Sequence, residues 1–415
     1  MNNNKAVITV FAIIVILSLI VRFYNFTERI NFGHEQAVSL SVSADYIQEK
    51  PSLLGLPSVR RTTSLGHTIY FGPWFNYSLV PLLLLSHYDP VGVTAFFPLL
   101  NVATGILIFF FASRFWNTSV ALFASLLFLF NTAMINHSLY IWIVHYMPLI
   151  GILSFASLYS FWKTRTPVYA LTAGLLTGIA FNLEYLYLPT AILVCIIIAF
   201  LSRKKIQTIA LFLAGGVLGN TPTILFDMRH NFYHVRTIWQ YLLDTLHTPG
   251  QDGFSPYHFL QFWPIFALLG GLLLAYIYNK KSKLLALSLS LLYVLINLLS
   301  PEISFTGAIG MPDGLHYPAV QEAVRVISSD HPSEFNVMAY YNNRAYDLRY
   351  LLTYRYGVTP QKVEEYGKSR MLYAFVPIGY DFQKSNVWEI NVFQAKKVEL
   401  LKQITSTHGV YKLTK

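Results

Sequence analysis

Apolar stretches recur along the chain at 6–26, 93–112, 118–136, 143–162, 168–183, 186–202, 206–226, 258–279 and 284–300, parted by polar turns. About 20 apolar residues in an α-helix cross the hydrocarbon core of a bilayer. The pattern therefore predicts about nine transmembrane helices, several of them near the lower limit of about 17 residues. The pair meeting at 182–185 reads equally as a tight hairpin that does not fully cross. The first run follows a single lysine and has no small-residue cleavage site before Arg22, so it reads as a retained span. Phe23, Tyr24 and Phe26 extend it into the interface as an aromatic belt.

Between the first two spans lies a long polar stretch, from about 27 to 90. Positions 36–48 satisfy both a strand alternation and a helical spacing. Positions 70–86 are mostly apolar but contain Gly72, Pro73 and Pro81, which suits a helix lying at the interface. After Pro301 the composition becomes that of a soluble protein. Helices are expected at 317–329 and 344–356 and strands at 335–340 and 371–376, a small α/β domain. The chain thus divides into a membrane domain, 1–300, and a domain over 301–415 that is long enough to bury its own core.

Composition sharpens this picture. Hydrophobic residues make up 54% and charged residues 12%, against about 25% charged in soluble domains, so the chain needs a lipid bilayer as solvent. The formal charge of +10 is scattered in small clusters, with no basic stripe, so nucleic acid is not expected as a partner. Those clusters set the topology instead, because basic loops stay cytoplasmic. With the N-terminus inside, Arg114, then Lys163 and Arg165, then Arg203 to Lys205, then Lys280, Lys281 and Lys283 all fall on one side. The 27–90 stretch, the 227–257 stretch and everything after Pro301 fall outside, and the expected location is the cell (inner) membrane. The one cysteine, Cys195, permits no intramolecular disulfide and no thiolate metal site.

Few residues offer chemistry. Glu35, after Gly33 and His34, sits just beyond the first span, where a carboxylate can deprotonate a hydroxyl; the alternative is a solvated loop acid. Glu184, between two apolar runs, is either a surface turn or an acid within the membrane, and the latter reads as functional. There is no phosphate-binding loop, zinc-protease motif, nucleophile elbow or dinucleotide fingerprint. His230 and His234 have the spacing of a metal pair without an evident third ligand. No cofactor is expected, and a divalent metal stays open.

The order of features over the first 165 residues is informative. Arg22-Phe23 ends the first span, His34-Glu35 follows, and an amphipathic segment runs to Asp45-Tyr46-Ile47. Then come Gly72-Pro73-Trp74-Phe75-Asn76-Tyr77, Asp89-Pro90-Val91 and a span closing on Arg114-Phe115-Trp116. This series resembles the membrane-embedded C-type glycosyltransferases that use polyprenyl-phosphate sugars, the group of protein mannosyltransferases and the aminoarabinose transferase of lipid A. The likeness continues to about Leu299.

The resemblance implies inverting transfer of a sugar from a polyprenyl-phosphate donor to an acceptor hydroxyl on the extracytoplasmic face, with an acidic residue of the first outer loop as base. Glu35 matches the second position of the family's Asp-Glu pair, and His34 stands where the first acid would be. Phe71 replaces a common histidine, leaving His67 and Tyr70 nearby as substrate contacts. His145 is the titratable group left in the second outer loop. The leaving phosphate calls for fixed cations, for which Arg60 and Arg61 are placed unless they bind lipid headgroups. Asp227, Arg229 and His230 end the seventh span where the family has a polar loop over the cavity. The acceptor is a glycan, a lipid or a protein. A non-catalytic lipid or glycan transporter, or an inactive relative with a binding role, are the rival readings.

Overall fold

The computed structural model describes residues 2–247, 256–312 and 314–415, without the side chains of 2–4, 59–61 and 245–247. The chain is mostly helical, with a small sheet near its C-terminus. Each of the nine apolar stretches holds a helix: Asn2–Phe23, Pro90–Phe115, Thr118–Leu129, Met147–Thr164, Val168–Leu183, Leu188–Leu201, Lys205–Gly219 with Thr221–Arg229, Trp263–Lys280 and Lys283–Leu298. Length alone supports four crossings among the described residues, or five with the Lys205–Gly219 and Thr221–Arg229 pair, which bends by 77°. The rest are shorter; Thr118–Leu129, for example, has 12 residues, about 18 Å at 1.5 Å each against a core of about 30 Å. The stretch expected at 118–136 breaks at Phe130 because Asn131 begins a second short helix, accepting the Met134 amide at 3.2 Å.

Two helices approach through glycine. Gly174 and Gly178 on Val168–Leu183 face Gly215 and Gly219 on Lys205–Gly219, a small-residue repeat at four-residue spacing on both partners. A Cβ on Gly174 would stand 1.9 Å from the Phe212 carbonyl oxygen, and one on Gly215 would stand 2.2 Å from that of Leu171. Backbone meets backbone here, so no side chain can give way.

This contact fixes the bend beyond it. Asn182 ends the first helix and donates to Asn220 Oδ1 and Thr223 Oγ1 at 2.9 Å, across the break. The same residue holds the long segment between the first two apolar helices: its carbonyl accepts the Gly72 amide at 2.8 Å and its Oδ1 the Trp74 amide at 3.3 Å. Trp74 Nε1 donates to the Gly219 carbonyl at 2.7 Å. The segment is therefore built structure. Positions 36–48, ambiguous in sequence, lie in the helix His34–Gln48. A hairpin, Pro57–Thr62 with Thr68–Tyr70, precedes the helix Trp74–Leu85.

The C-terminal sheet orders its strands Phe335–Ala339, Met371–Pro377, His408–Thr414 and Lys397–Gln403, the first pair parallel and the others antiparallel. The last hairpin was not expected from sequence, since Lys397–Gln403 is largely exposed and its pattern is mostly polar. Helices Tyr317–Ser329 and Tyr346–Tyr356 dock this sheet on the 27–90 segment. Phe32 packs edge-on against Tyr317 and Tyr350, Tyr354 donates to Asp45 at 2.9 Å, and Arg355 pairs with Asp89 at 3.3 Å.

Two outcomes follow from this packing. Gly215→Ala should lower the melting temperature in detergent, whereas Gly216→Ala, whose Cβ meets its nearest neighbour at 3.8 Å, should raise it slightly through better helix propensity; equal effects would remove the backbone-contact account. In the C-terminal domain, burial pushes the Asp347 carboxyl up from 3.8 to about 6. The native state then holds that proton more tightly than the unfolded chain, so the contribution is present below pH 3.8 and is lost as pH rises through about 6. Its size is about 3 kcal/mol at most. Melting curves across that range should show the loss in the wild type and not in Asp347→Asn; an unchanged pH dependence in the variant would refute it.

Candidate active site

Glu35 enters its position through the turn before it. Arg29, 1% exposed, donates to the carbonyls of Val21 at 2.7 Å and Tyr24 at 3.0 Å and to that of Ser304 at 2.7 Å, and lies 4.9 Å from the centre of the Phe305 ring. Gly33 then starts the helix in extended backbone, its amide held by Gln36 Oε1 at 3.1 Å. Glu35 falls in the first turn, where the helix dipole favours a carboxylate. Among the described residues that carboxylate makes no hydrogen bond or ion pair, and it faces a cavity of about 350 Å³. Glu35, Tyr140 and Trp142 form one wall; Met311, Tyr341 and Asn342 form another. His34 is turned to the C-terminal domain, its Nδ1 3.3 Å from the Asn343 carbonyl oxygen and its ring edge-on to Tyr346 at 4.8 Å.

Behind the cavity stands a cluster of rings. Tyr140 Oη is 3.0 Å from His137 Nδ1, which is 3.2 Å from His145 Nε2. Burial first, and then the nearby Glu35, raise the Tyr140 hydroxyl well above its ordinary value. Burial lowers His137 to about 4, so it stays neutral near pH 7. Trp142 stacks on His137 and meets Tyr257 at 4.6 Å. The cluster is a rigid neutral backing that keeps Tyr140 and Trp142 in place.

Tyr257 leads on to Glu184. That acid is 5% exposed, which corrects the surface-turn alternative: the helix Val168–Leu183 carries it inward, where it accepts the Leu186 amide at 3.2 Å and lies beside Tyr187, Tyr257, His258 and Gln261. Tyr187 and Gln261 in turn close one end of an apolar groove of about 420 Å³ between Met147–Thr164 and Leu188–Leu201. Gly151 lets the Gln261 backbone approach there, since a Cβ would stand 2.0 Å from its carbonyl oxygen. A continuous series of contacts thus joins an apolar groove within the helix bundle to the cavity of Glu35.

The remaining expected residues gather elsewhere. Arg229 and His230 line a second, open cavity of about 540 Å³ with Leu54, Tyr70 and Tyr233. His67 packs edge-on to Tyr233 at 5.6 Å on the same side. His230 stacks on Phe226 at 4.0 Å. Asp227 is engaged in structure, its two carboxylate oxygens accepting the amides of His234 at 2.7 Å and Val235 at 3.2 Å and so capping the helix Tyr233–His247. Tyr185 joins the two regions, its hydroxyl donating to the Tyr70 carbonyl and lying 2.6 Å from His234 Nε2. The side chains of Arg60 and Arg61 lie outside the described residues; their backbone forms the strand Pro57–Thr62. No group of three or more potential metal ligands occurs among the described residues.

Sequence reasoning missed Tyr140, Trp142 and Tyr257, although two aromatics around one apolar residue in a short link between spans are a usable signal. It also missed Tyr341 and Asn342, which no local pattern marks.

No protein-family model and no curated protein sequence matches the chain. Solved structures do. ArnT from Cupriavidus metallidurans bound to undecaprenyl phosphate superposes with a TM-score of 0.60 at 10% identity, over 97% of this chain and 97% of that one. The same protein in the apo state gives 0.54 at 8% identity, over 99% and 98%. The resemblance read in the sequence is therefore one of fold, and it extends over nearly the whole chain.

Proposed function

We propose that the protein transfers a sugar from a polyprenyl-phosphate donor to an acceptor hydroxyl on the extracytoplasmic face, with inversion at the anomeric carbon and Glu35 as general base. The observation that carries this reading is the path of touching side chains that links the apolar groove, through Tyr187, Gln261 and Tyr257, to the Glu35 carboxylate, which has no partner among the described residues. A lipid-linked sugar needs both ends of such a path: an apolar slot for the isoprenoid and a polar cavity for the sugar. The undecaprenyl phosphate bound to the ArnT of like fold supports the same donor class.

In this reading the chain has nine helices in the cell (inner) membrane, with Lys204 and Lys281 facing the cytoplasm and the domain after Pro301 facing out. The acceptor hydroxyl loses its proton to Glu35 as its oxygen attacks the anomeric carbon and the phosphate departs. Charge gathers on that phosphate, and Arg60, Arg61 and Arg229 are assigned to offset it, with His230 as a further contact. Tyr70 and His67, beside the open cavity, are proposed as further substrate contacts, while His34, His145 and Glu184 act from around the Glu35 cavity by holding its walls. A transporter reading has less behind it, since it gives the cavity carboxylate no task.

Glu35→Gln keeps the size of the side chain and cannot take a proton at neutral pH. Release of polyprenyl phosphate from a labelled polyprenyl-phosphate sugar should fall by about 10²–10⁴, with melting temperature unchanged. Wild-type turnover in that variant would end the assignment.

A further inference from the structure

A series of exposed apolar side chains runs from Leu213 to Trp239. On the helix Lys205–Gly219, which with its bent partner is apolar enough to cross a bilayer, Leu213, Val217 and Leu218 are each more than half exposed. In a multi-pass membrane protein such a face belongs to lipid. The series does not stop at the bend: Leu225, Met228, Phe232, Val235 and Trp239 continue it at spacings of three or four residues, the period of one helix face. The other face of Tyr233–His247 is buried at His234 and Thr237.

Geometry places this face near a membrane surface. Lys205–Gly219 has 15 residues, about 22 Å at 1.5 Å each against a hydrocarbon core of about 30 Å. With the basic cluster Arg203 to Lys205 at one surface of the bilayer, the bend after Gly219 falls inside the opposite leaflet. Its 77° turns Thr221–Arg229 from the crossing direction nearly into the membrane plane. The next corner is held against strain: Asn231 and Phe232 have positive φ of 52° and 55°, and the Asp227 carbonyl accepts the Phe232 amide at 2.8 Å. Both acids of the segment are engaged elsewhere, Asp227 in capping Tyr233–His247 and Asp244 in accepting the Ser64 amide and hydroxyl at 2.7 and 2.9 Å. Arg236 is exposed and forms no ion pair among the described residues. Apolar side chains, a tryptophan and a free arginine, without an acid beside them, match a helix at the boundary of headgroups and acyl chains.

We propose that residues 221–239 are seated in that boundary, in the leaflet away from Arg203, with Val235 and Trp239 among the acyl chains and Arg236 at the level of the lipid phosphates. The occupant of the exposed face is thus the bilayer itself. The helix carries the hairpin of Pro57–Thr62 and Thr68–Tyr70 through Asp244, through the Tyr233 hydroxyl donating to the Thr68 carbonyl at 3.4 Å, and through His234 Nε2, 2.8 Å from the Tyr70 carbonyl oxygen. The membrane surface therefore sets the height of the hairpin and of the open cavity beside it, whether or not Glu35 is a base.

The test uses the full chain with Cys195→Ala in phosphatidylcholine nanodiscs, with a nitroxide on single cysteines. Power-saturation EPR reads collisions with oxygen, which concentrates among acyl chains, and with a neutral nickel chelate, which stays in water. Val217→Cys is the lipid reference and Lys384→Cys, on a side chain 87% exposed, the water reference. Melting temperatures equal to that of the Cys195→Ala parent show that the fold is kept. Labels at Val235→Cys and Trp239→Cys should meet the chelate roughly tenfold less often than the label at Lys384→Cys and meet oxygen more often than chelate, and the label at Arg236→Cys should be the shallowest of the three. Chelate collisions at 235 or 239 as frequent as at 384 would leave the face in water. Few collisions with either reagent would put a second copy or another protein on it. Either result, or a label at 236 deeper than both others, overturns the inference.

Discussion

Arg29 is the tie on which the geometry of the site depends. Its guanidinium is buried without a carboxylate partner among the described residues, and three carbonyls from two distant parts of the chain, with the face of Phe305, take the place of a counter-ion. A hydrogen bond to a charged group contributes about 1.5–3 kcal/mol, and a buried carbonyl deprived of its donor costs about as much. Such a contact persists only while the end of the first span and the 304–305 linker stay together. Arg22, fully buried and bonded to Ser18 Oγ and Asn101 Oδ1 at 2.7 Å, locks the same end of the span into the bundle. Glu35 lies six residues beyond Arg29, in the first turn of the helix His34–Gln48, so the tie at Arg29 holds the turn that leads into it.

The membrane half adds two constraints. Close glycine packing fixes where the bent helix pair breaks, and Asn182 transmits that position to the aromatic run at 72–77. The C-terminal domain then closes over the loop through Phe32, Asp45 and Asp89. The candidate site is accordingly a junction of three parts of the chain, none of which builds it alone. This suits chemistry on a lipid-linked sugar, where the isoprenoid belongs to the bilayer and the reacting carbon to a cavity outside it.

The apolar segments were legible because hydrophobicity is a local property: each predicted stretch holds a helix. Their lengths were less legible, since Asn131 ends one helix by capping the next, a side-chain event within an apolar run. Glu35 stood out by its position after the first span. Tyr257 and Asn342 did not, because Tyr257 meets Trp142, and Asn342 meets the cavity of Glu35, across more than a hundred residues of chain. Asp227 illustrates the converse. A buried acid at the end of an apolar helix reads as chemistry, yet its oxygens are occupied by two backbone amides that a sequence cannot display. Glu184 looked like a turn and is buried, because the helix before it carries the chain inward rather than out to solvent.

If donor and base meet at the cavity beside Tyr140, a structure of the Glu35→Gln protein with an intact polyprenyl-phosphate sugar bound will show it. Isoprenoid density is expected along the groove between Met147–Thr164 and Leu188–Leu201, the phosphate near Arg60, Arg61 or Arg229, and the anomeric carbon within hydroxyl reach of residue 35. A sugar seated in the open cavity of His230 and Tyr233, with position 35 remote from the anomeric carbon, would contradict it.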